Sequence, residues 1–207
     1  MKPSRFINKY LLLTLAIFTS QQSMAQESYI EDVIVTAEKR SESIQDISQS
    51  VSALNDSDLD TKNITSFVDL SGIVPGVTVA KNEGYKTVIS IRGVGNETNQ
   101  NAIAAPSVAF HMDGIFIASP FSLQTDFIDV ERIEVLRGPQ GTLFGQNSTG
   151  GAINVISKKP TTDGYGGKAD LTIGTYGLSK FRTSNNIPLS DKLATRFSAS
   201  ITERDGF

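Results

Sequence analysis

Hydrophobic residues follow three different patterns along this chain of 207 residues. Residues 10–18 form an apolar run that only Thr14 interrupts. Across residues 48–160, short runs of β-forming residues are separated by turn-forming residues, which is typical of short strands joined by turns. From residue 168 onward, polar and apolar residues alternate with a period of two, the pattern of strands with two different faces.

The middle region predicts an α+β domain with a small mixed sheet and short helices. Residues 55–58 (Asn-Asp-Ser-Asp) favour a helix start directly after the strand predicted at residues 50–54. A second short helix is predicted at residues 65–70. The other predicted strands are residues 77–79, 87–92, 107–112, 115–118, 133–136 and 152–157.

Turn-forming residues define two of the connections. Asp113-Gly114 lies between two β-like runs and predicts a two-residue hairpin turn. The connection between the last two strands contains five glycines and one proline, which are too many breakers for a helix interior. We therefore expect a loop there.

The C-terminal region predicts strands at residues 168–173, 178–187 and 193–202, joined at residues 175–177 and 188–192. In the last strand one set of side chains is apolar and the alternate set is polar: Phe197, Ala199 and Ile201 against Arg196, Ser198, Ser200 and Thr202. Segments of about ten residues with this alternation are typical of transmembrane β-strands. A soluble antiparallel sheet gives the same pattern, so the alternation alone leaves both open.

The N-terminus predicts a cleaved secretory signal peptide over residues 1–25. A leader with Lys2, Arg5 and Lys9 precedes the apolar run, and Ser23-Met24-Ala25 supplies the small residues of a cleavage site. The run is about half of the roughly 20 residues that a spanning helix needs, so we expect cleavage after Ala25 and no membrane anchor. A buried amphipathic helix is the alternative.

Composition excludes several classes of function. The chain has no cysteine, which excludes disulfides and thiolate chemistry. Its formal net charge is −3 and three of its basic residues lie in the leader, so the remainder is acidic and unsuited to nucleic acid. Gly151 stands where a phosphate-binding loop needs lysine, and Thr98 where a dinucleotide-binding motif needs glycine. With His111 as the only histidine and no nucleophile–base set, the sequence predicts no metal, no cofactor and no enzyme.

Several motifs occur in a fixed order across the middle region. They are Val74-Pro75-Gly76-Val77, Ile91-Arg92-Gly93, Met112-Asp113-Gly114-Ile115 and the glycine-rich segment from Glu131 to Lys159. This ordered set resembles the plug domain of TonB-dependent outer-membrane receptors. The resemblance implies an α+β plug domain at residues 48–160 and, at residues 164–207, the first two to three antiparallel strands of a transmembrane β-barrel.

A segment near the N-terminus resembles the TonB box of these receptors. It consists of Asp32, Val33, Ile34, Val35, Thr36 and Ala37, within a polar stretch, residues 26–47, that predicts a flexible linker. β-Branched residues with small neighbours and polar flanks can add as a strand to the exposed sheet edge of another protein. An ordinary edge strand of the plug is the alternative.

The resemblance also assigns two sets of site residues. Charged residues within predicted strands are expected to fix the plug against the barrel wall, or else to lie on a solvated strand face: Arg92, Glu131, Glu134 and Arg137. Polar residues in loops are expected to contact a hydrophilic ligand: Tyr85, Asn96, Asn99, Gln100 and Asn101. The polar lumen of such barrels favours a polar, reversible contact between plug and wall.

The resemblance implies active uptake of a scarce nutrient across the outer membrane of a Gram-negative bacterium. The expected ligand is a ferric siderophore, a cobalamin-like cofactor or an oligosaccharide. The plug gates the barrel, and the TonB–ExbB–ExbD complex pulls on the box from the periplasm. No bond in the ligand is made or broken.

The length predicts only the N-terminal part of such a receptor. Plugged outer-membrane transporters use about 22 strands of roughly ten residues each, whereas residues 164–207 are all that is left for the barrel. Three strands alone leave open edges that lipid cannot satisfy. The alternatives are a soluble periplasmic plug-like binding module without a barrel, a non-functional truncated receptor, and an exported enzyme on a small α+β scaffold.

Overall fold

The computed structural model describes residues 33–36, 40, 42–82, 86–95, 106–119, 122–123 and 126–206. The predicted signal peptide and its cleavage site after Ala25 lie outside the described residues. Residues 33–207 form one compact unit. The described strands are β1 (Ile34–Val35), β2 (Glu42–Ser43), β3 (Val51–Asn55), β4 (Val77–Asn82), β5 (Lys86–Ile91), β6 (Val94–Gly95), β7 (Val108–Met112), β8 (Ile115–Phe116), β9 (Val130–Arg137), β10 (Gly151–Ser157), β11 (Gly166–Ile173), β12 (Ser179–Ser190) and β13 (Leu193–Glu203). Short helical elements are α1 (Asp56–Thr61), a 3-10 turn (Phe67–Leu70) and α2 (Gly141–Phe144).

A five-stranded mixed sheet forms the centre of the domain, in the order β3-β9-β10-β7-β8. Strand β10 runs parallel to β7 and antiparallel to β9. Strands β3 and β8 add antiparallel partners at the two edges. The small mixed sheet that the sequence predicts is therefore confirmed.

Two short helical elements follow β3, as the sequence predicts. Asn55 begins α1 with a capping box, since its side chain accepts from the Asp58 amide at 2.8 Å and the Asp58 carboxylate accepts from the Asn55 amide at 3.3 Å. The second predicted helix is a single 3-10 turn, whose Asp69 carboxylate accepts from the amides of Thr65 and Ser66, both at 2.8 Å. In the described part of the chain, none of the helices is long and apolar enough to cross a membrane.

The glycine-rich connection between β9 and β10 contains a helical turn that the sequence did not predict. Helix α2 is only four residues long, and it buries Phe144 in a cluster against the central sheet. Gly145, with a φ of 76°, ends the helix, because this backbone conformation favours glycine. The expectation of a loop without helix was wrong, since the breakers limit the helix to one turn but do not prevent it.

Asp113 and Gly114 form the predicted hairpin turn between β7 and β8. Their φ angles are 50° and 82°, and a two-residue type I′ turn requires positive values at both positions. The Asp113 carboxylate accepts from the amide and the hydroxyl of Ser157, each at 2.8 Å. The turn is thereby tied to the end of β10.

A second, smaller sheet has the order β4-β5-β6. Arg92 and Gly93, with φ angles of 53° and 78°, form the turn between β5 and β6. The strand predicted at residues 87–92 therefore ends one residue early, and the two-residue strand β6 was not predicted.

Strands β11, β12 and β13 form a third sheet, which is antiparallel and has two different faces. Leu171 pairs with Phe181 and Phe181 with Ile201, and these apolar side chains are 65%, 43% and 70% exposed. The neighbouring Lys180 and Arg182 occupy the opposite face. The predicted alternation is confirmed.

The join between β12 and β13 is shorter than predicted. Strand β12 runs on through Pro188 to Ser190, and the pairing register shifts between these two residues. Proline is tolerated within a strand at such an irregularity, because the regular ladder is already interrupted there. Only Asp191 and Lys192 form the turn.

The central sheet buries side chains on both faces. On one face Ile133 and Val135 belong to the main core, which includes the 3-10 turn. On the other face Leu136 packs in a smaller cluster with Val35. Because side chains alternate along β9, Glu134 lies on this second face, beside the segment that contains Val35.

Candidate functional site

The described part of the predicted TonB box, residues 33–36, lies against the second face of the central sheet. Val35 is fully buried in a cluster with Leu136 and Phe144. Ile34 is 55% exposed. The segment therefore presents one side chain to the plug and the next to the surroundings, as an extended strand does.

One backbone edge of this segment is paired with β2. The two strands run antiparallel, and the Ile44 amide donates to the Val33 carbonyl at 2.9 Å. Backbone groups alternate in direction along an antiparallel strand. Those of Val33 and Val35 therefore face β2, and those of Ile34 and Thr36 face away from it.

The other edge meets a buried carboxylate on β9. The carboxylate of the fully buried Glu134 accepts from the Thr36 amide at 2.7 Å and from the Thr36 hydroxyl at 3.1 Å. Arg132 Nε donates to the same carboxylate at 2.9 Å, and Asn154 Nδ2 donates to it at 3.3 Å. A buried charge needs such partners, because an uncompensated charge in the interior is strongly destabilising. Glu134 therefore holds the segment by a charged contact to its backbone.

Glu131 lies at the rim of this cluster. Its carboxylate pairs with the Arg132 guanidinium, and its side chain is 42% exposed. Arg132 Nη2 also donates to the Thr36 hydroxyl at 3.4 Å. Among the described residues, the polar contacts of Glu131 and Glu134 are with this cluster and not with β11–β13. Their predicted contact with the barrel wall stays a prediction.

Arg92 and Arg137, the other two predicted wall contacts, converge on one serine. Arg92 Nη2 and Arg137 Nη1 donate to Ser50 Oγ at 3.2 and 3.3 Å. Arg137 also donates to Ser52 Oγ at 2.6 Å and to the Pro75 carbonyl at 3.1 Å. Burial and the positive charge of Arg92 lower the pKa of Arg137. Within the described ranges no ion pair includes either arginine.

Three ion pairs join the plug to the third sheet, and the sequence did not identify them. They are Asp60 with Lys168, Asp126 with Lys180, and Asp129 with Arg196. The cations occupy the polar face that the period-two pattern predicts, so their side of the interface could be predicted from the sequence. The acidic partners could not be predicted, because they lie far away in the chain. None of these three ion pairs includes a residue predicted to contact the barrel wall, and the predicted wall contacts stay predictions.

Asp129 is the most buried carboxylate of this interface, with a side chain that is 7% exposed. Arg196 donates to it through both Nε and Nη2, the latter at 2.6 Å, and the Ser198 hydroxyl donates at 2.6 Å. Burial opposes ionisation, but the hydrogen bonds from Arg196 and Ser198 and the charges of Arg196 and Lys158 outweigh it and hold the pKa of Asp129 below its ordinary value.

Asn186 on β12 fixes the chain where it passes from the plug to the third sheet. Its side chain accepts from the Thr161 amide at 2.9 Å and donates to the carbonyls of Thr161 and Gly164 at 2.9 and 2.8 Å.

A cavity of about 70 Å³ lies between plug and sheet, lined by charged residues that include Asp60 and Lys168. Apolar residues of the plug, among them Leu59 and Phe127, line the same cavity.

Several predicted site residues lie outside the described residues. These are Asp32 and Ala37 of the box and Tyr85, Asn96, Asn99, Gln100 and Asn101 of the ligand loops. Where the structure is described, no group of three or more histidine or acidic side chains is placed to hold a metal ion.

Comparison with known proteins identifies the family. A family model of the TonB-dependent receptor plug domain matches residues 43–152, more than half of the chain. The pesticin receptor of Yersinia enterocolitica is 31% identical over 188 residues, covering 88% of this chain and 26% of that receptor. The iron-regulated outer membrane virulence protein of Vibrio cholerae is 31% identical over 210 residues, covering 94% of this chain and 31% of that protein.

A solved structure agrees with the sequence relatives. The crystal structure of the ferric yersiniabactin uptake receptor from Yersinia pestis matches with a TM-score of 0.65 and 25% identity, covering 75% of this chain and 24% of that one. This chain spans between a quarter and a third of the length of the curated relatives it matches. Its mixed sheet with short helices, followed by a two-faced antiparallel sheet, is the architecture of a plug and the first strands of a barrel. The chain belongs to the family of TonB-dependent receptors, which are transporters and not enzymes.

Proposed function

We propose that this chain carries the plug and first barrel strands of an outer-membrane receptor that takes up a ferric siderophore. The observation that carries the proposal is a plug domain joined by ion pairs to the polar face of a sheet whose other face is apolar. Such a sheet suits a polar lumen on one side and lipid on the other. The relatives named for ferric yersiniabactin uptake and for iron regulation favour a ferric siderophore over cobalamin or an oligosaccharide.

Uptake of labelled ligands tests this proposal. Iron-starved cells with and without the gene are given radioactive ferric siderophores of several chemical types, labelled cobalamin and a labelled oligosaccharide. Cells without the gene are expected to lose uptake of one ferric siderophore only. The gene restores this uptake, and the restored uptake requires TonB. Unchanged ferric uptake with loss of cobalamin or oligosaccharide would contradict the ligand class.

The apolar face of the third sheet argues against a soluble plug-like module. Leu171, Ile173 and Ile201 are 65%, 78% and 70% exposed. A contiguous apolar patch of this kind on a protein in water marks a surface that binds another phase or partner. Outer-membrane lipid is the partner proposed for this face.

The proposed organisation assigns residues 1–25 to a cleaved signal peptide, 26–47 to a linker with the TonB box, 48–160 to the plug and 164–207 to the first two to three barrel strands. Export and cleavage deliver the chain to the outer membrane of a Gram-negative bacterium. N-terminal sequencing of protein from outer membranes is expected to begin at Gln26. Any other start would overturn the proposed cleavage site.

Residues 32–37 are proposed as the box on which TonB, energised by ExbB and ExbD, pulls. Strand β1 pairs with only two residues of β2, so its pairing can be exchanged for a strand of a partner. Cysteines at Ile34 and at Val35 are expected to crosslink to TonB in energised cells. A cysteine at the exposed Ser57 of α1 is the control. Absence of adducts at both box positions would overturn the assignment.

Arg92 and Arg137 are proposed to bind carboxylates of the barrel wall. Two neighbouring guanidinium groups are strong, directional partners for carboxylates, and within the described residues they have only neutral acceptors. Replacing both by glutamine is expected to loosen the plug and to raise the sensitivity of cells to bulky antibiotics. Unchanged sensitivity at equal protein level would contradict this role.

The loop residues Tyr85, Asn96, Asn99, Gln100 and Asn101 are proposed to contact the ligand. Polar residues between predicted strands suit a hydrophilic ligand. Alanine substitutions in this set are expected to weaken ligand binding without lowering the amount of receptor. Equal ligand affinity in all five variants would remove the assignment.

A further inference from the structure

The box segment, residues 33–36, has one backbone edge paired with β2, and on its other edge the Thr36 amide is bonded to Glu134. A partner that recognises an extended segment by strand addition needs one open edge, with free amides and carbonyls. Strand β2 takes the edge that carries the groups of Val33 and Val35. On the other edge, the Thr36 amide points at Glu134 Oε1, 2.7 Å away.

We propose that Glu134 is the latch that keeps this segment docked and closed to a partner strand. The proposal rests on the proposed function of the segment as the TonB box. A partner strand can pair with the Thr36 edge only after the Glu134 carboxylate gives up the amide. Val35 must leave its buried site in the same movement, because it is part of the same short strand.

Contacts within the central sheet fix the Glu134 carboxylate in position. Arg132 Nε and Asn154 Nδ2 fix its carboxylate at 2.9 and 3.3 Å, and both residues belong to paired strands of the central sheet. These bonds do not involve the box segment, so the carboxylate keeps its place when the segment leaves. The amide and the hydroxyl of Thr36 are the groups through which the segment binds this fixed carboxylate.

A spin label at Ile34 tests the latch directly. Ile34 is 55% exposed, and these 207 residues contain no cysteine, so Ile34→Cys is the one labelled site within them. The spectrum of the parent receptor in outer membranes, treated with the same label, is subtracted as background. Glu134→Gln keeps the shape of the side chain but removes its charge. Loss of a charged hydrogen bond is expected to raise the ratio of mobile to immobile label about tenfold to a hundredfold. An unchanged ratio would overturn the proposal.

A second variant and a control separate the latch from general damage. Thr36→Val removes one of the two bonds from the segment side and leaves the plug intact, so an increase of about fivefold is expected even if the first variant fails to assemble. Glu203→Gln is the matched control, since it makes the same exchange at an exposed residue of β13, in a different sheet. An equal increase in the control would show general loosening and would also overturn the latch.

The partner is tested separately with the purified periplasmic domain of TonB. If Glu134→Gln frees the label and also increases crosslinking of a cysteine at Ile34 to this domain, both the latch and the box are supported. If the label is freed but no adduct forms, the latch stands and the box assignment fails. If adducts form equally in the variant and the parent while the label stays immobile, the box stands and the latch fails.

Discussion

The plug holds two neighbours in different ways: the box segment at residues 33–36 and the sheet of β11–β13. Contacts to the segment converge on the fully buried side chains of Glu134 and Val35. Contacts to the sheet are shared among three ion pairs, whose acids Asp129, Asp126 and Asp60 are 7%, 34% and 52% exposed. The segment depends on a few buried groups, whereas the sheet is held by pairs of very different burial.

Strand β9 connects the two attachments. Asp129 directly precedes the strand and Glu134 lies within it, and both carboxylates are buried. Removing one partner of a buried pair is strongly destabilising, because the other charge is left uncompensated, whereas exposed pairs contribute little. The comparison therefore predicts that the effect of a substitution follows burial and not the number of contacts.

Asp129→Ala is expected to have the largest effect on stability, about 3 kcal/mol. It leaves Arg196, 18% exposed, without its carboxylate and Ser198 without its acceptor. Urea unfolding in detergent micelles measures the free energy of unfolding. Asp191→Ala, in the exposed turn after β12, is the control and should change it by less than about 0.5 kcal/mol. Equal small losses in both variants would mean that the burial of a contact does not determine how much it stabilises the attachment of the sheet.

Val35→Ala is expected to weaken docking of the box segment by about 1.5 kcal/mol, because it removes two buried methyl groups from the cluster with Leu136. Hydrogen exchange of the Thr36 amide reports the docked fraction, and it should accelerate about tenfold. Ile34→Ala, on the exposed side of the same strand, should leave the exchange rate unchanged. Similar acceleration in both variants would show that β2 pairing, and not the buried cluster, holds the segment.

Local signals were sufficient to predict most of the fold. The capping residues Asn55 and Asp58 start α1, and Asp113-Gly114 forms the turn between β7 and β8. Both signals are local, because these residues act on neighbouring backbone groups. The alternation around Phe197 predicts the two faces of the third sheet, because each face meets a different environment. Helix α2 and strand β6 were missed, since each is too short to leave a periodic pattern.

The candidate site could be predicted only in part. Lys168 and Asp60 are 108 positions apart, and no local pattern links an acid in a helix to a cation in a distant strand. The charge of Glu134 within β9 was visible and suggested a contact across the domain surface. The sequence did not indicate that residues 33–36 cover this face, so the contact between Glu134 and Thr36 emerged only from the structure.

Acid is expected to weaken the plug through two aspartates. The pKa of Asp69 lies below its ordinary value of 3.8, since hydrogen bonds from Thr65 and Ser66 outweigh the opposing effect of burial, and the pKa of Asp129 is lowered likewise. A carboxyl group with a lower pKa in the folded state stabilises it above the unfolded pKa. This contribution is lost as pH falls below 3.8 through the lower folded values.

Urea unfolding between neutral pH and pH of about 3 measures this loss. The effect should be smaller than that of Asp129→Ala, because a protonated aspartate still occupies its site. Asp129→Asn, which cannot titrate, should lose less stability on acidification than the parent protein. An identical acid dependence in the two proteins would show that Asp129 does not contribute to it.

Lys168→Ala is expected to have the smallest effect, about 0.5 kcal/mol at low salt. Lys168 and Asp60 are 45% and 52% exposed, so water competes for both charges. Forming the pair also costs side-chain entropy, because both side chains must be held in one geometry. Salt screens exposed pairs, and the small loss should disappear at about 1 M salt, while the loss from Asp129→Ala should persist. A loss from Lys168→Ala that equals that of Asp129→Ala, or that persists in salt, would show that the plug and the sheet are held by a cooperative network. In that case the exposed pair and the buried pair would act together, and burial would not separate their contributions.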